Sequence, residues 1–529
     1  MEPMMITVGQ ALREAAVRFP FRPALTHVSH DVSLSYAELL GESEEAMRGL
    51  MALGIGKGDR VAVFAPNIPE WIITMAAVMG MGAVLVPVDP GADEETLVHM
   101  LDRVKCRAMI VSAGSRGPVD RLLELRDMLP SLEHVIFTGE PDCPGAIPWR
   151  ELAALGEHLP RGAEAEAAGR VSPGDPAAIM FTSGTTGLPK GVLLDHQGLV
   201  NKTLCAAERQ GIDHRDRLCL FFPLSHMFGN TCIALAAFLR GAHLVMSGEA
   251  FDPDEIHSAV SRERCTAIYG TPGMFSALID RPGFERTEWT SIKKGIVGGA
   301  PCPMDLMKRL VEDLGIRHLT VGYGITEASS WITMTMPEDP LHLRVSTIGR
   351  ALPCNEVKIA DPATGKPLPP GTRGELCTKG FLMKEYWEMP AATAATVDPK
   401  GWLHTGDLGE MDEAGYVRIS GRIKDVIVRK GVEIHPVELE EIIHELPGVS
   451  QVQVFGFTNP AGGTEVAAWV IPREGVNLTG AEIENHMQSR IDESLRPSHY
   501  RIVKGFPTTA SGKVQKKKLA ELAEKAVLT

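Results

Sequence analysis

Ala178-Ile179-Met180-Phe181-Thr182-Ser183-Gly184-Thr185-Thr186-Gly187-Leu188-Pro189-Lys190-Gly191 is the stretch from which the rest of the chain can be read. Its apolar start predicts a buried strand. That strand breaks into a loop of Gly, Ser and Thr closing on Lys190, and residues 196–209 follow with helical spacing. Gly184, Gly187 and Gly191 tolerate positive φ and carry no Cβ, so backbone N–H groups can approach a ligand closely. Thr182, Ser183, Thr185 and Thr186 add hydroxyl donors, and Lys190 adds a positive charge. Such a loop suits a polyphosphate. It is not a Walker A loop, because Gly184 and Gly187 are too close together and Gly191 follows the lysine. A flexible surface loop would explain the glycines, but not hydroxyls, Pro and Lys packed together after a buried strand.

Working outward, 529 residues are too many for one ordinary core, so two or more domains are expected. Hydrophobic residues at 44% and charged residues at 23% place the chain among globular proteins. A net charge of −14 leaves no basic excess to neutralise phosphates, which argues against a nucleic-acid partner. Lys516, Lys517 and Lys518 read as a solvated tail. The nine cysteines are dispersed, with no C-x-x-C and no His at metal spacing, so free thiols in a reducing compartment are expected. The N-terminus lacks a secretory pattern, and a cytoplasmic location is expected. Residues 71–88 are nearly uncharged but contain Gly80, Gly82 and Pro87; a helix followed by a strand explains them better than a transmembrane segment.

Strand patterns at 60–66, 83–88 and 108–112 alternate with helical ones at 37–53, 69–79 and 94–104. This predicts an α/β fold with doubly wound, mostly parallel sheets. The charged segment 155–175 reads as a surface connection. The alternation resumes after the loop, and three strands end in glycine-rich or functional segments. These are 218–223 before His226, 294–297 before Gly298-Gly299-Ala300-Pro301, and 319–321 before Gly322-Tyr323-Gly324-Ile325-Thr326-Glu327. Ligands bind at the carboxyl ends of strands in such sheets, so one shared cleft is expected. Beyond 345 the segments shorten into a small β subdomain. A small α+β C-terminal domain follows, with a helix opened by Pro436 and another capped by Thr479 with Glu482 three residues on. The expected domains are residues 1–421 and 422–529.

Glu327 faces the expected phosphate site, and a carboxylate there is repulsive unless a cation intervenes; it is a candidate Mg²⁺ ligand. Asp407, in Thr405-Gly406-Asp407, can accept both hydroxyls of a ribose, although a capping Asp would look the same. A lone His is usually a core residue. His226 follows a strand end at the expected cleft, which favours a gate to that cleft. In the superfamily that the segments quoted below resemble, amino-acid-activating members carry a carboxylate in this region to pair the substrate ammonium; residues 222–229 offer none, so the resemblance does not imply an α-amino acid. Met227, Phe228, Met274 and Trp331 could line an apolar pocket or belong to plain core.

Residues 182–191 resemble the phosphate-binding signature of the adenylate-forming superfamily: acyl-CoA synthetases, luciferases and the adenylation domains of peptide synthetases. Tyr323-Gly324-Ile325-Thr326-Glu327 matches its second signature, and the resemblance extends along the chain in five ordered segments. It implies that Tyr323, with Gly322 and Gly324 around it, and the turn Gly299-Ala300-Pro301 sandwich adenine, and that Thr326 touches phosphate. It implies a ribose contact for Arg422 beside Asp407 and a hinge at Lys424, within Gly421-Arg422-Ile423-Lys424-Asp425. Lys513, in Ala510-Ser511-Gly512-Lys513, would bridge the substrate carboxylate and the α-phosphate. Lys430 and Gly431 would meet CoA. Val428 departs from several relatives, which have a Lys there.

The resemblance therefore implies an ATP- and Mg²⁺-dependent carboxylate–CoA ligase. It would form an acyl-AMP and then a thioester, with a mobile C-terminal domain, on a fatty, alicyclic or aryl acid. A homodimer is compatible with this reading. Rival readings are an adenylating enzyme that uses a carrier protein or another acceptor, and a nucleotide-binding regulator without turnover. The chain ends 16 residues after Lys513, so a fused carrier domain is not expected.

Overall fold

The computed structural model describes residues 2–112, 124, 128–139, 145–182, 188–473, 475–508 and 514–528. The opening stretch does form a strand, Pro176–Thr182, but a second strand separates its loop from the helix. Lys190–Asp195 pairs with it antiparallel, in a register that ends at Thr182↔Lys190. Asp195 then caps the helix His196–Arg209 by accepting the Gly198 N–H. Ser183, Gly184, Thr185, Thr186, Gly187 and Lys513 lie outside the described residues.

The chain divides into two compact units, Met1–Val357 with Thr378–Leu403, and Lys358–Cys377 with His404–Thr529. Among the described residues, the first unit holds two large sheets. One has nine strands. Its parallel centre runs from Pro23–His27 through His243–Met246, Arg217–Leu220, Ala267–Gly270 and Lys294–Gly298 to His318–Ile325. Antiparallel strands Ser330–Met334 and Arg350–Ala351 flank one side and Val32–Ser35 the other. The other sheet has eight strands, with Val84–Val88 paired between Pro176–Thr182 and Arg60–Phe64. These central strands are almost wholly buried, as expected of parallel strands covered by helices on both faces.

The uncharged run at 71–88 becomes a buried helix, Pro69–Gly80, and the strand Val84–Val88. No helix among the described residues is long and apolar enough to cross a membrane. The connection at 155–175 contains a short helix, Ala163–Gly169.

Two buried histidines give the fold an acid-sensitive component. His196 opens its helix and accepts the Val8 N–H at Nδ1, while His243 places Nε2 2.8 Å from Thr26 Oγ1. Burial lowers each pKa to about 4; Lys57 adds to this at His196 against Asp175, and Arg217 and Arg22 add to it at His243. Below about pH 6.5 the unfolded chain takes up protons that the folded chain refuses until about pH 4. Stability is therefore complete above 6.5 and is lost as pH falls through this window, by up to about 3 kcal/mol per histidine. Urea midpoints measured from pH 7.5 to 4.5 should fall accordingly, and the variant carrying His196→Asn and His243→Asn should show a flatter slope.

The second unit carries most of a four-stranded sheet in the order Asn355–Ala360, Gly374–Gly380, Leu403–Met411, Val417–Arg422. It also carries a hairpin, Ile427–Arg429 with Val432–Ile434, and a three-stranded sheet of Val449–Thr458, Thr464–Pro472 and His499–Ile502. The helix Pro436–His444 has proline in its first turn, and Thr479 and Glu482 form the expected capping box. The last helix, Lys516–Leu528, packs Leu519 and Ala523 among Phe455, Phe457 and Trp469. Lys516 is not the solvated tail residue that the sequence suggests. Its ammonium lies 3.2 Å from Glu440 and donates to the Val454 carbonyl, because the apolar face of the helix draws its base onto the sheet.

Candidate active site

In the first unit the strands Lys294–Gly298 and His318–Ile325 lie in parallel register, with Gly298 opposite Gly322. Gly299 has φ +85° and turns the chain, leaving Ala300 and Pro301 exposed next to the strand that carries Tyr323. Tyr323 and Gly324 are not in a turn, as the glycines suggest. Their strand continues to Ile325 and pairs back with Ser330–Met334. The glycines are required by packing: a Cβ on Gly322 would sit 2.8 Å from the Trp331 ring, and one on Gly324 would sit 2.0 Å from the Ser330 carbonyl oxygen. Thr326 and Glu327 thus occupy the tip of a hairpin, in a single 3₁₀ turn. Ser329 (φ +56°) and Ser330 (φ +111°) close it in backbone conformations that cost a non-glycine residue energy.

The Glu327 carboxylate is held on one side only. Oε1 accepts the Tyr386 hydroxyl at 2.8 Å, and Oε2 has no hydrogen bond or ion pair among the described residues. The Glu327 carbonyl accepts the Met383 N–H, which fixes the tip against the chain leading to Tyr386. Lys190, at the start of the return strand, places its ammonium 4.6 Å from the centroid of the Tyr386 ring. One open carboxylate oxygen is the donor type that a hard divalent cation takes, so the residues present fit Mg²⁺.

His226 follows the strand Arg217–Leu220. Its Nδ1 accepts the Phe228 N–H at 3.1 Å, at the first residue of the π-helix Phe228–Leu235. Phe228 packs on Phe222 at 4.3 Å and meets Trp331 edge-on at 5.3 Å. A Cβ on Gly298 would lie 3.6 Å from the same Phe228 ring. An apolar aromatic wall therefore runs from the His226 turn to the strand ends at Gly298 and Gly322. Met227 is buried and Met274 half-buried.

In the second unit, Asp407 and Arg422 are cross-strand partners, and Arg422 Nε lies 2.7 Å from Asp407 Oδ1. The carboxylate is buried while the guanidinium is partly exposed. Glu375 belongs to no readable motif, yet it shapes this loop. Its Oε1 accepts the Gly406 N–H at 3.0 Å and its Oε2 lies 2.6 Å from His404 Nδ1. Thr405 Oγ1 donates to the Leu376 carbonyl and accepts the Asp407 N–H. Cys377 Sγ lies 3.6 Å from the same His404 nitrogen, so Glu375, Cys377 and His404 form a potential ligand group that sequence spacing conceals. Lys424 lies in an exposed 3₁₀ turn, Ile423–Asp425. Lys430 (φ +53°) and Gly431 (φ +82°) form a two-residue hairpin turn, the mirror-image type that matches strand twist. Val428 is exposed beside it.

Residues 12–387 match the AMP-binding enzyme family, and residues 438–513 match the AMP-binding enzyme C-terminal domain. The Bacillus subtilis (strain 168) protein YngI, provisionally named an acyl-CoA synthetase, is 36% identical over 97% of this chain and 96% of its own length. The mitochondrial medium-chain acyl-CoA ligase ACSF2 of Danio rerio is 33% identical over 98% of this chain and 88% of its own. The structure of a Mycobacterium tuberculosis fatty acyl CoA synthetase superposes with a TM-score of 0.77 at 28% identity, covering 98% of this chain and 99% of that one. With both family domains matched in order and relatives above 30% identity along nearly its whole length, the protein belongs to the AMP-binding enzyme family.

Proposed function

We propose that the protein is an ATP-dependent carboxylate–CoA ligase acting on medium-chain, apolar acids. The observation that carries this is Glu327 at its hairpin tip, one oxygen anchored and the other open. Thr182 to Gly187, Lys190 and Thr326 cradle the phosphates in this reading, and Glu327 holds Mg²⁺. Held there, Mg²⁺ would supply positive charge against the phosphates. Gly299, Ala300, Pro301, Gly322, Tyr323 and Gly324 take the adenine, and Asp407 with Arg422 takes the ribose. Lys513 aligns the attacking carboxylate with the α-phosphate. The catalytic domains of this reading, 1–421 and 422–529, part within the second compact unit, and a rotation at Lys424 then withdraws Lys513 and presents Lys430 and Gly431 to CoA. The thiol attacks the acyl-adenylate, giving the thioester and AMP. His226 gates the acid pocket. We assign the protein to the cytoplasm, a reducing compartment that suits the free, mostly buried cysteines among the described residues.

The medium-chain assignment draws on the name of the ACSF2 relative and on the wall of Phe222, Phe228 and Trp331. Each buried methylene contributes about 0.8 kcal/mol. Octanoate should therefore exceed acetate by about 100-fold or more in kcat/KM, even if only just over half of its added length is buried. Pyrophosphate release across acids from acetate to palmitate, together with aryl acids, each with and without CoA, measures this. A maximum at medium chains that rises with CoA supports the reading. Best turnover with acetate overturns the substrate class, and acid-dependent adenylation indifferent to CoA moves the acyl acceptor to a carrier protein or another nucleophile.

A further inference from the structure

Tyr386 belongs to none of the segments by which the site is read, yet it contacts both of the charges there. It lies in the short strand Glu385–Tyr386, which pairs antiparallel with the return strand Lys190–Asp195, Tyr386 opposite Val192. Backbone bonds on either side, Lys384 N–H to Leu193 and Trp387 N–H to Gly191, fix it to that strand. Its own N–H donates to Thr393 Oγ1 at 2.9 Å. From this anchored position the hydroxyl crosses to the other large sheet and donates to Glu327 Oε1 at 2.8 Å, and the ring face receives the Lys190 ammonium.

The side chain is only 6% exposed. Lys190 and Glu327 make no direct ion pair among the described residues; the phenol satisfies one with its hydroxyl and the other with its π-face. A direct pair would leave neither free for a nucleotide. With Tyr386 in place, the ammonium stays available to phosphate, and the carboxylate presents one fixed oxygen to a cation.

We propose that Tyr386 is a positioning residue for the adenylation half-reaction: it orients Glu327 toward the nucleotide-bound cation and holds Lys190 at the end of the phosphate loop. This rests on the proposed role of Glu327 as a Mg²⁺ ligand. Partners that orient a metal ligand are typically worth 10–100-fold in metal affinity or activity.

Tyr386→Phe keeps the ring and removes only the hydroxyl. The Mg²⁺ concentration for half-maximal pyrophosphate release should rise about tenfold. Calorimetric binding of α,β-methylene-ATP should weaken to a similar degree with Mg²⁺ present and stay unchanged in EDTA. Thioester formation from supplied acyl-AMP and CoA should stay within about twofold, which a general loss of structure would not allow. Tyr386→Leu also removes the π-face and should weaken binding of the analogue in EDTA, through Lys190. Equal losses in both half-reactions, or equal weakening of analogue binding with and without Mg²⁺ in Tyr386→Phe, would overturn the proposal. Glu327→Gln separates the two levels. If it leaves the Mg²⁺ dependence unchanged, the metal role of Glu327 fails and Tyr386 with it. If it shifts that dependence while Tyr386→Phe does not, only the inference about Tyr386 fails.

Discussion

Lys513→Ala is expected to slow acyl-adenylate formation by about three orders of magnitude while leaving thioester formation from supplied acyl-AMP within about threefold. The reason is the charge of the reacting groups. A carboxylate attacks a phosphate that is itself anionic, and no side chain activates either partner in the proposed mechanism. Placing the two together and offsetting their repulsion is then most of the catalysis. A fixed donor aimed at developing charge in a dry site is typically worth about 10²–10³ in rate, and a full cation bridging both partners belongs at or above the top of that range. Release of AMP from the thioester step involves no polyphosphate and should not need this lysine. Single-turnover pyrophosphate release with octanoate, set beside CoA consumption from synthetic octanoyl-AMP, reads the two steps separately. Equal losses in both would assign Lys513 to structure or to nucleotide binding in general. Lys516→Ala is the comparison: its ammonium is engaged with Glu440 and Val454, so its loss should lower stability and act on both steps alike.

Much of the architecture could be read from the sequence, and the failures are of two kinds. The helix His196–Arg209, the strand Ala108–Ser112, the Thr479–Glu482 capping box and the proline opening Pro436–His444 all follow from local signals: periodicity, capping residues and a fixed φ. The two return strands, Lys190–Asp195 and Ser330–Met334, do not. Each follows a functional loop so closely that its apolar run reads as a continuation of that loop or as the lead-in to a helix. Gly322 and Gly324 suggest a turn for the same reason. Glycine in a strand marks a neighbour that needs the space of a Cβ, and here the neighbours are Trp331 and the Ser330 carbonyl, on a strand that the sequence does not announce. Glu375 and Tyr386 are out of reach for a different reason. Each acts on a residue far along the chain, Gly406 and Glu327 respectively, and no periodicity connects such pairs. The residues that hold a ligand tend to cluster in readable segments; those that aim them need not.

Gly324→Ala tests whether that hairpin is what holds Glu327, and its effect should be large. The added Cβ would lie 2.0 Å from the Ser330 carbonyl oxygen, 2.7 Å from its carbon and 2.8 Å from Trp331 Cα. All three are backbone atoms, so no side-chain rotation relieves the clash. The register already shifts between Tyr323 and Gly324, and Ser329 and Ser330 already sit at positive φ, so the paired strand has little room to yield further. Over-packing of this kind costs about 1–3 kcal/mol where side chains can adjust, and backbone contact should place this case at or beyond the upper end. Relief requires the strand Ser330–Met334 to move away, which carries the tip and the Glu327 carboxylate off the Tyr386 hydroxyl. The expected result is a thermal midpoint lower by several degrees and adenylation reduced by more than about 100-fold, because a displacement of about 1 Å at a reacting site can cost that much. Gly174→Ala, at a glycine with open space where a Cβ would sit, should change stability by no more than about 0.5 kcal/mol and leave adenylation intact. If Gly324→Ala lowers the midpoint but adenylation of the folded fraction is normal, the hairpin is a structural corner and Glu327 is aimed by Tyr386 alone. If both fall together while Gly174→Ala is silent, the absence of one Cβ is what lets the Glu327 carboxylate stand where the proposed chemistry needs it.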